Sequence, residues 1–146
     1  MIHLLQETAT LSTGLFAGAA LYISLVEHPV RSILATEAAA RQWAPSYKRA
    51  TWMQAPLALV GLLTGVSACV AGAGVGWLIA ALLIGLVVPL TFKMIMPTNH
   101  KLLEPGRDLS SAETRELLDR WGQLHWIRTG LSVVAFLLMV WLGSAG

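Results

Sequence analysis

Three of the four histidines in this 146-residue chain stand beside other polar side chains: Glu27-His28, Asn99-His100, and His125 three residues before Arg128. Imidazole titrates closest to neutrality of all side chains, so it can take up a proton or bind a metal ion. A neighbouring carboxylate can orient it, and an amide or guanidinium can stabilise the oxyanion that forms when a substrate loses a proton. Two chemistries follow from these types. One is proton transfer at an imidazole, His125 or His28, with Arg128 and Asn99 as polar company. The other is a metal or haem site drawn from Glu27, His28, His100 and His125. No local spacing such as HExxH favours a particular metal. A lone cysteine, Cys69, excludes an internal disulfide and a multi-cysteine centre, and its apolar surroundings make it a small packing residue.

The elements that must position these groups are long and apolar. The chain is 55% hydrophobic and 12% charged, half the charge usual for a soluble domain, with a mean hydropathy of +0.65. Lipid is the expected solvent, and the length allows one domain, residues 1–146. Stretches of about 20 apolar residues cross a bilayer, and four such spans are expected at about 5–27, 50–72, 76–97 and 121–143. The predicted fold is an all-α bundle of four transmembrane helices. No Lys or Arg precedes the first span, as a cleavable signal peptide would require, so it is expected to be retained.

All ten Lys and Arg residues lie in or beside the connections after spans one and three. The positive-inside rule therefore places both termini outside and residues 28–49 and 98–120 in the cytoplasm, as in a bacterial inner membrane. The formal charge of +2 reflects this bias, and no basic run interleaved with aromatics points to nucleic acid. Trp43, Trp52, Trp121 and Trp126 near the inner surface, with Trp77 and Trp141 near the outer one, read as aromatic belts. Gly14/Gly18 and Gly61/Gly65 form small-xxx-small ridges that can pack within the chain or join two copies. Pro56 and Pro89 lie inside spans two and three and are expected to kink them.

The charged connections carry structure as well. Ile33, Leu34, Ala38 and Ala39, with Glu37 and Arg41 paired four apart, predict a short interfacial helix ended by Pro45, with Ser46 capping the second span. Pro29 is expected to end the first span and Pro97 the third, with Asn99 as a helix C-cap and His100 in the loop. Glu104–Asp108 (EPGRD) reads as a turn, and Ser110 with Glu113 as a capping box opening a fourth helix that starts about three turns before the lipid. On that helix Trp121, His125 and Arg128 share a face. The stripe either faces a pocket or anchors the helix, with Arg128 snorkelling to headgroups. Tyr47, Lys48, Arg49 and Gln54 at the start of span two complete the polar ring. Arg49, Gln54, Tyr22 and Trp121 are the expected substrate contacts, and His3 lies on the opposite side.

The runs YISLVEHP (Tyr22–Pro29), PTNHKLL (Pro97–Leu103) and LLDRWGQLHWIRTGLS (Leu117–Ser132) resemble the anthrone oxygenase-like family of small four-helix membrane proteins. The resemblance spans nearly the whole chain and is most specific at Asn99 and at the Trp121, His125 and Arg128 stripe. It implies oxidation of a polyketide anthrone to an anthraquinone with O2 and no added organic cofactor. His125 or His28 would then be the base, Arg128 and Asn99 the stabilisers of the oxyanion, and Trp121 a stacking wall for the flat substrate. The partners implied are the bilayer, a small hydrophobic substrate and O2. Four short spans also suit a small transporter or a purely structural membrane subunit. The complete Lys/Arg asymmetry and the position of Glu27 at a span's end speak against the transporter.

Overall fold

In the computed structural model, which describes residues 1–145, four helices long and apolar enough to cross a membrane dominate the chain. They are α1 (Ile2–Ser32), α2 (Thr36–Ala73), α3 (Val75–Leu102) and α4 (Ala112–Ser144). α1 and α3 each pack between α2 and α4, giving a four-cornered bundle of alternating direction with α2 and α4 on one diagonal. The α1–α2 and α3–α4 connections, and every Lys and Arg, therefore gather at one end.

The helices continue through the prolines expected to break them. His28 N–H bonds to the Ile23 carbonyl and Met96 N–H to the Thr91 carbonyl, five residues back, so Ile23–Glu27 and Thr91–Ile95 form wide π turns. Each lies directly before a proline. Proline lacks the N–H for the carbonyl four residues back, and its ring crowds that carbonyl; a widened turn relieves the crowding. α1 thus runs through Pro29 to Ser32, and Asn99 and His100 lie inside α3, which is capped at Leu103, rather than at a cap and in a loop. Among the described residues there is no separate interfacial helix, because α2 continues through Pro45 and Pro56. The carbonyl freed by Pro45 belongs to Arg41, which is exposed, where water can bond it. The Ser46 hydroxyl donates to the Glu27 carboxylate instead of capping a helix.

The EPGRD turn is present, with Gly106 at φ 79°. The cap of α4 is displaced by one residue: Thr114 N–H donates to Ser111 Oγ at 3.2 Å, because the Ser110 hydroxyl is taken by Asp108 at 2.6 Å. From that cap α4 extends well ahead of the expected span.

Two packed layers stack along the bundle. One is built from small residues around Phe16, Trp77, Ile84 and Met139. In it a Cβ on Gly61 would stand 2.6 Å from Thr13 Oγ1, and one on Gly65 would stand 2.8 Å from the Ala81 Cβ, so these glycines let α2 approach α1 and α3. The other, at the charged end, gathers Trp43, Trp121, Ile95, Leu102 and Leu118. Only Trp52, Trp126 and Trp141 face outward; Trp43, Trp77 and Trp121 are core residues, which corrects the two-belt reading. Cations at this end also take part in the packing. Arg31 is 3% exposed, and Arg115 donates to the Leu34 carbonyl at 2.6 Å, closing the α1–α2 turn.

Candidate functional site

The second layer surrounds a histidine. His125 is 2% exposed and stacks on Trp121, with ring centroids 4.9 Å apart and planes 29° apart. Trp121 also meets the edge of Trp43 at 5.9 Å, the tilted ring of His28 at 5.5 Å, and the Arg31 guanidinium at 5.6 Å. The indole is therefore already covered by protein groups. The four-residue spacing of Trp121 and His125 on α4 produces the stack, and Gly122 makes room for its neighbour: any Cβ there would overlap the His28 imidazole.

His125 Nδ1 is tied to the bundle by two residues the sequence did not single out. Ser24 Oγ lies 3.0 Å from Nδ1 and 2.8 Å from Thr129 Oγ1. The Thr129 hydroxyl in turn faces the Ala20 carbonyl at 3.2 Å. Each hydroxyl has one proton to give, and one direction places a proton in all three contacts: Nδ1–H to Ser24, Ser24 to Thr129, Thr129 to the carbonyl. Assigned from this network, the neutral imidazole carries its proton on Nδ1 and presents Nε2 as an acceptor. Nε2 forms no hydrogen bond among the described residues. The signal was available: Ser24 and Thr129 are polar residues within apolar runs, and Thr129 stands four after His125.

A cavity of about 10 Å³ adjoins His125, lined also by Arg31, Tyr47, Gln54, Trp121 and Arg128. That is room for about one water-sized molecule. Arg128 does not reach out toward headgroups; it turns inward, donating from Nη2 to Gln54 Oε1 at 3.1 Å and lying over the Phe16 ring at 5.5 Å. Arg128 Nε, Gln54 Nε2 and Trp121 Nε1 are buried without a partner. Unmet buried donors are costly, at about 1–3 kcal/mol each, and the three side chains that carry these all line the His125 cavity.

Tyr47, Thr51 and Arg128 also line a second, mostly apolar pocket of about 100 Å³ between α2 and α3, with Phe16, Ala55, Val88, Phe92 and Met96. Tyr47 stacks on Trp43 at 5.1 Å and donates to Met96 Sδ at 3.7 Å, bridging the two helices beside this pocket. The wide turn at Thr91–Ile95 brings Thr91 and Phe92 into its wall.

The other candidates lie elsewhere. Glu27 and His28 converge, as adjacent helical residues do not by themselves, because both face Arg31: Nη2 donates to Glu27 Oε1 at 2.5 Å and Nη1 lies 3.4 Å from His28 Nδ1. Arg31 Nε donates to Gln42 Oε1 as well. Asn99 is fully buried with both amide atoms unpartnered, on the α3 face of Ile95 and Leu102, yet it does not line the His125 cavity. Tyr22 is 57% exposed, beside Glu27 on another face. Arg49 and His100 are exposed. Among the described residues no three His, Cys, Asp or Glu side chains are disposed to hold a metal ion. Glu27 is engaged by Arg31 and Ser46, and His100 points away from the core, so the four ligands considered for a metal or haem do not fit one.

Comparison with known proteins agrees with the sequence resemblance. The chain is 30% identical over 134 residues to the anthrone oxygenase tpcL of Aspergillus fumigatus, covering 85% of this chain and 83% of that protein. No solved structure matches it. The family model described as anthrone oxygenase matches residues 43–138, a stretch that holds Gln54, Asn99, Trp121, His125 and Arg128. The chain belongs to the anthrone oxygenase family.

Proposed function

We propose that the protein is a membrane-embedded oxygenase that takes a flat, anthrone-like aromatic ketone from the bilayer and converts its methylene to a carbonyl with O2. The observation that carries this reading is the anchored His125, whose free Nε2 shares a small cavity with the underused donors of Arg128 and Gln54. The outer rings of the substrate occupy the apolar pocket between α2 and α3 while its central ring spans the junction of the two cavities, with the ketone oxygen at Arg128 and the methylene, at the opposite corner of that ring, toward His125 Nε2. Pockets that bury small ligands usually measure about 300–1,000 Å³, so the weak Tyr47–Met96 contact opens to admit the rings. The positive-inside rule places this end of the bundle in the cytoplasm, with both termini outside.

The chemistry needs a base and a cation. His125 Nε2 removes a methylene proton, and the electron pair moves into the rings and onto the ketone oxygen, where Arg128 stabilises the charge. The anion passes one electron to O2, and the two radicals join at the former methylene carbon. His125 returns its proton to the peroxide, then takes the second proton from carbon as the O–O bond breaks. Hydroxide leaves, is protonated by His125, and a ketone remains. Anthrone and O2 give anthraquinone and one water.

The test uses the full chain in lipid nanodiscs with anthrone and an oxygen electrode. One O2 should be consumed for each anthraquinone formed, and His125→Ala should slow turnover about 10²–10⁴-fold with helix content unchanged. Unchanged turnover in the variant would overturn the role of His125; absence of O2 uptake by the native protein with anthrone and its hydroxylated analogues would overturn the reaction.

A further inference from the structure

On the opposite side of α3 from the apolar pocket, a groove of about 300 Å³ runs between α3 and α4 and is lined by Lys93, Lys101 and Arg120. None of the three forms an ion pair among the described residues, whereas Arg31, Arg41 and Arg107 all do. Helical spacing sets them in line: Lys93, Pro97 and Lys101 are four apart on α3, and Leu117, Arg120 and Leu124 share a face of α4. Like charges gathered without a carboxylate repel one another, and an anion relieves the repulsion.

We propose that this groove binds the phosphate headgroup of an anionic phospholipid. Its floor favours a lipid over a dissolved anion: Met94, Pro97, Leu117 and Leu124 offer apolar surface for the glycerol and the upper acyl chain. Eight residues of helix separate Lys93 from Lys101, about 12 Å, so the cations span the depth from the chain region to the headgroup. The site lies at the charged end of the bundle, where an anionic leaflet would meet it. This inference does not depend on the oxygenase reading.

Native mass spectrometry of the detergent-purified chain, mixed with phosphatidylglycerol or phosphatidylcholine, tests it, with thermal unfolding in parallel. The native protein should retain phosphatidylglycerol in preference and gain stability from it. Neutralisation should weaken retention about fivefold for each cation, so K93Q/R120Q loses most of it, while Lys48→Gln, outside the groove, retains it in full. Should the double variant fail to fold, Lys101→Gln carries the same test at about fivefold. Equal retention of the two lipids, or undiminished retention by the neutralised variants, overturns the proposal. So does inorganic phosphate that displaces phosphatidylglycerol and stabilises the chain as well, since the groove would then be a site for a free anion.

Discussion

A histidine on a helix face becomes a directed base only when something fixes its proton and its ring. Here the Ser24 and Thr129 hydroxyls fix Nδ1, and the Trp121 indole fixes the ring plane. On the proposed function Ser24 is a positioning residue, acting through His125. Ser24→Ala removes the acceptor of Nδ1–H and leaves a buried donor unmet, costing about 1–3 kcal/mol of stability. Losing an orienting bond worth about 1.4 kcal/mol in the transition state slows chemistry about tenfold. The expected result is a fall in kcat for anthrone with KM nearly unchanged, and recovery in Ser24→Thr. A purely structural Ser24 would lower the unfolding temperature and leave kcat alone.

At the scale of elements, the site depends on how α1 lies across α4. The contact closes on Gly122, where the His28 ring takes the space of a side chain. Gly122→Ala favours the isolated helix but forces His28 off Trp121, and overpacking of this kind costs about 1–3 kcal/mol. Thermal unfolding should drop accordingly and tryptophan fluorescence should shift; unchanged values for both would mean that α1 is not held at this point. The elements themselves were legible in the sequence, since apolar length defined four spans and the capping pattern announced the long α4. Their ends were not. Pro29, Pro45 and Pro97 read as stops because a local pattern cannot show that a π turn or a water-exposed carbonyl will accommodate the ring. Trp121, His125 and Arg128 could be aligned from helical spacing alone. Their link to Ser24 joins residues 101 apart in sequence, and it appears only once α1 and α4 are packed.

For the whole molecule, the alternating bundle brings all ten Lys and Arg residues to one end, which also holds the His125 cavity, the Arg115 clasp on the α1–α2 turn and the basic groove. At the opposite end, the α2–α3 turn through Gly72 and Gly74 carries no charged side chain. Moving that many cations across a bilayer opposes the inverted insertion, so the charged end should lie in the cytoplasm. The single cysteine makes this measurable. In a Cys69→Ser background, Ser110→Cys places a thiol in the exposed α3–α4 turn, and Gly74→Cys places one in the uncharged turn. Gly74 has a φ of 97°, so Val75→Cys, which is exposed and helical, is the less strained probe of that end. A membrane-impermeant maleimide added to intact cells should label Val75→Cys and spare Ser110→Cys until the membrane is opened. The reverse pattern would place the site on the outer side, and a hydrophobic substrate would then have to reach Arg128 from the outer leaflet.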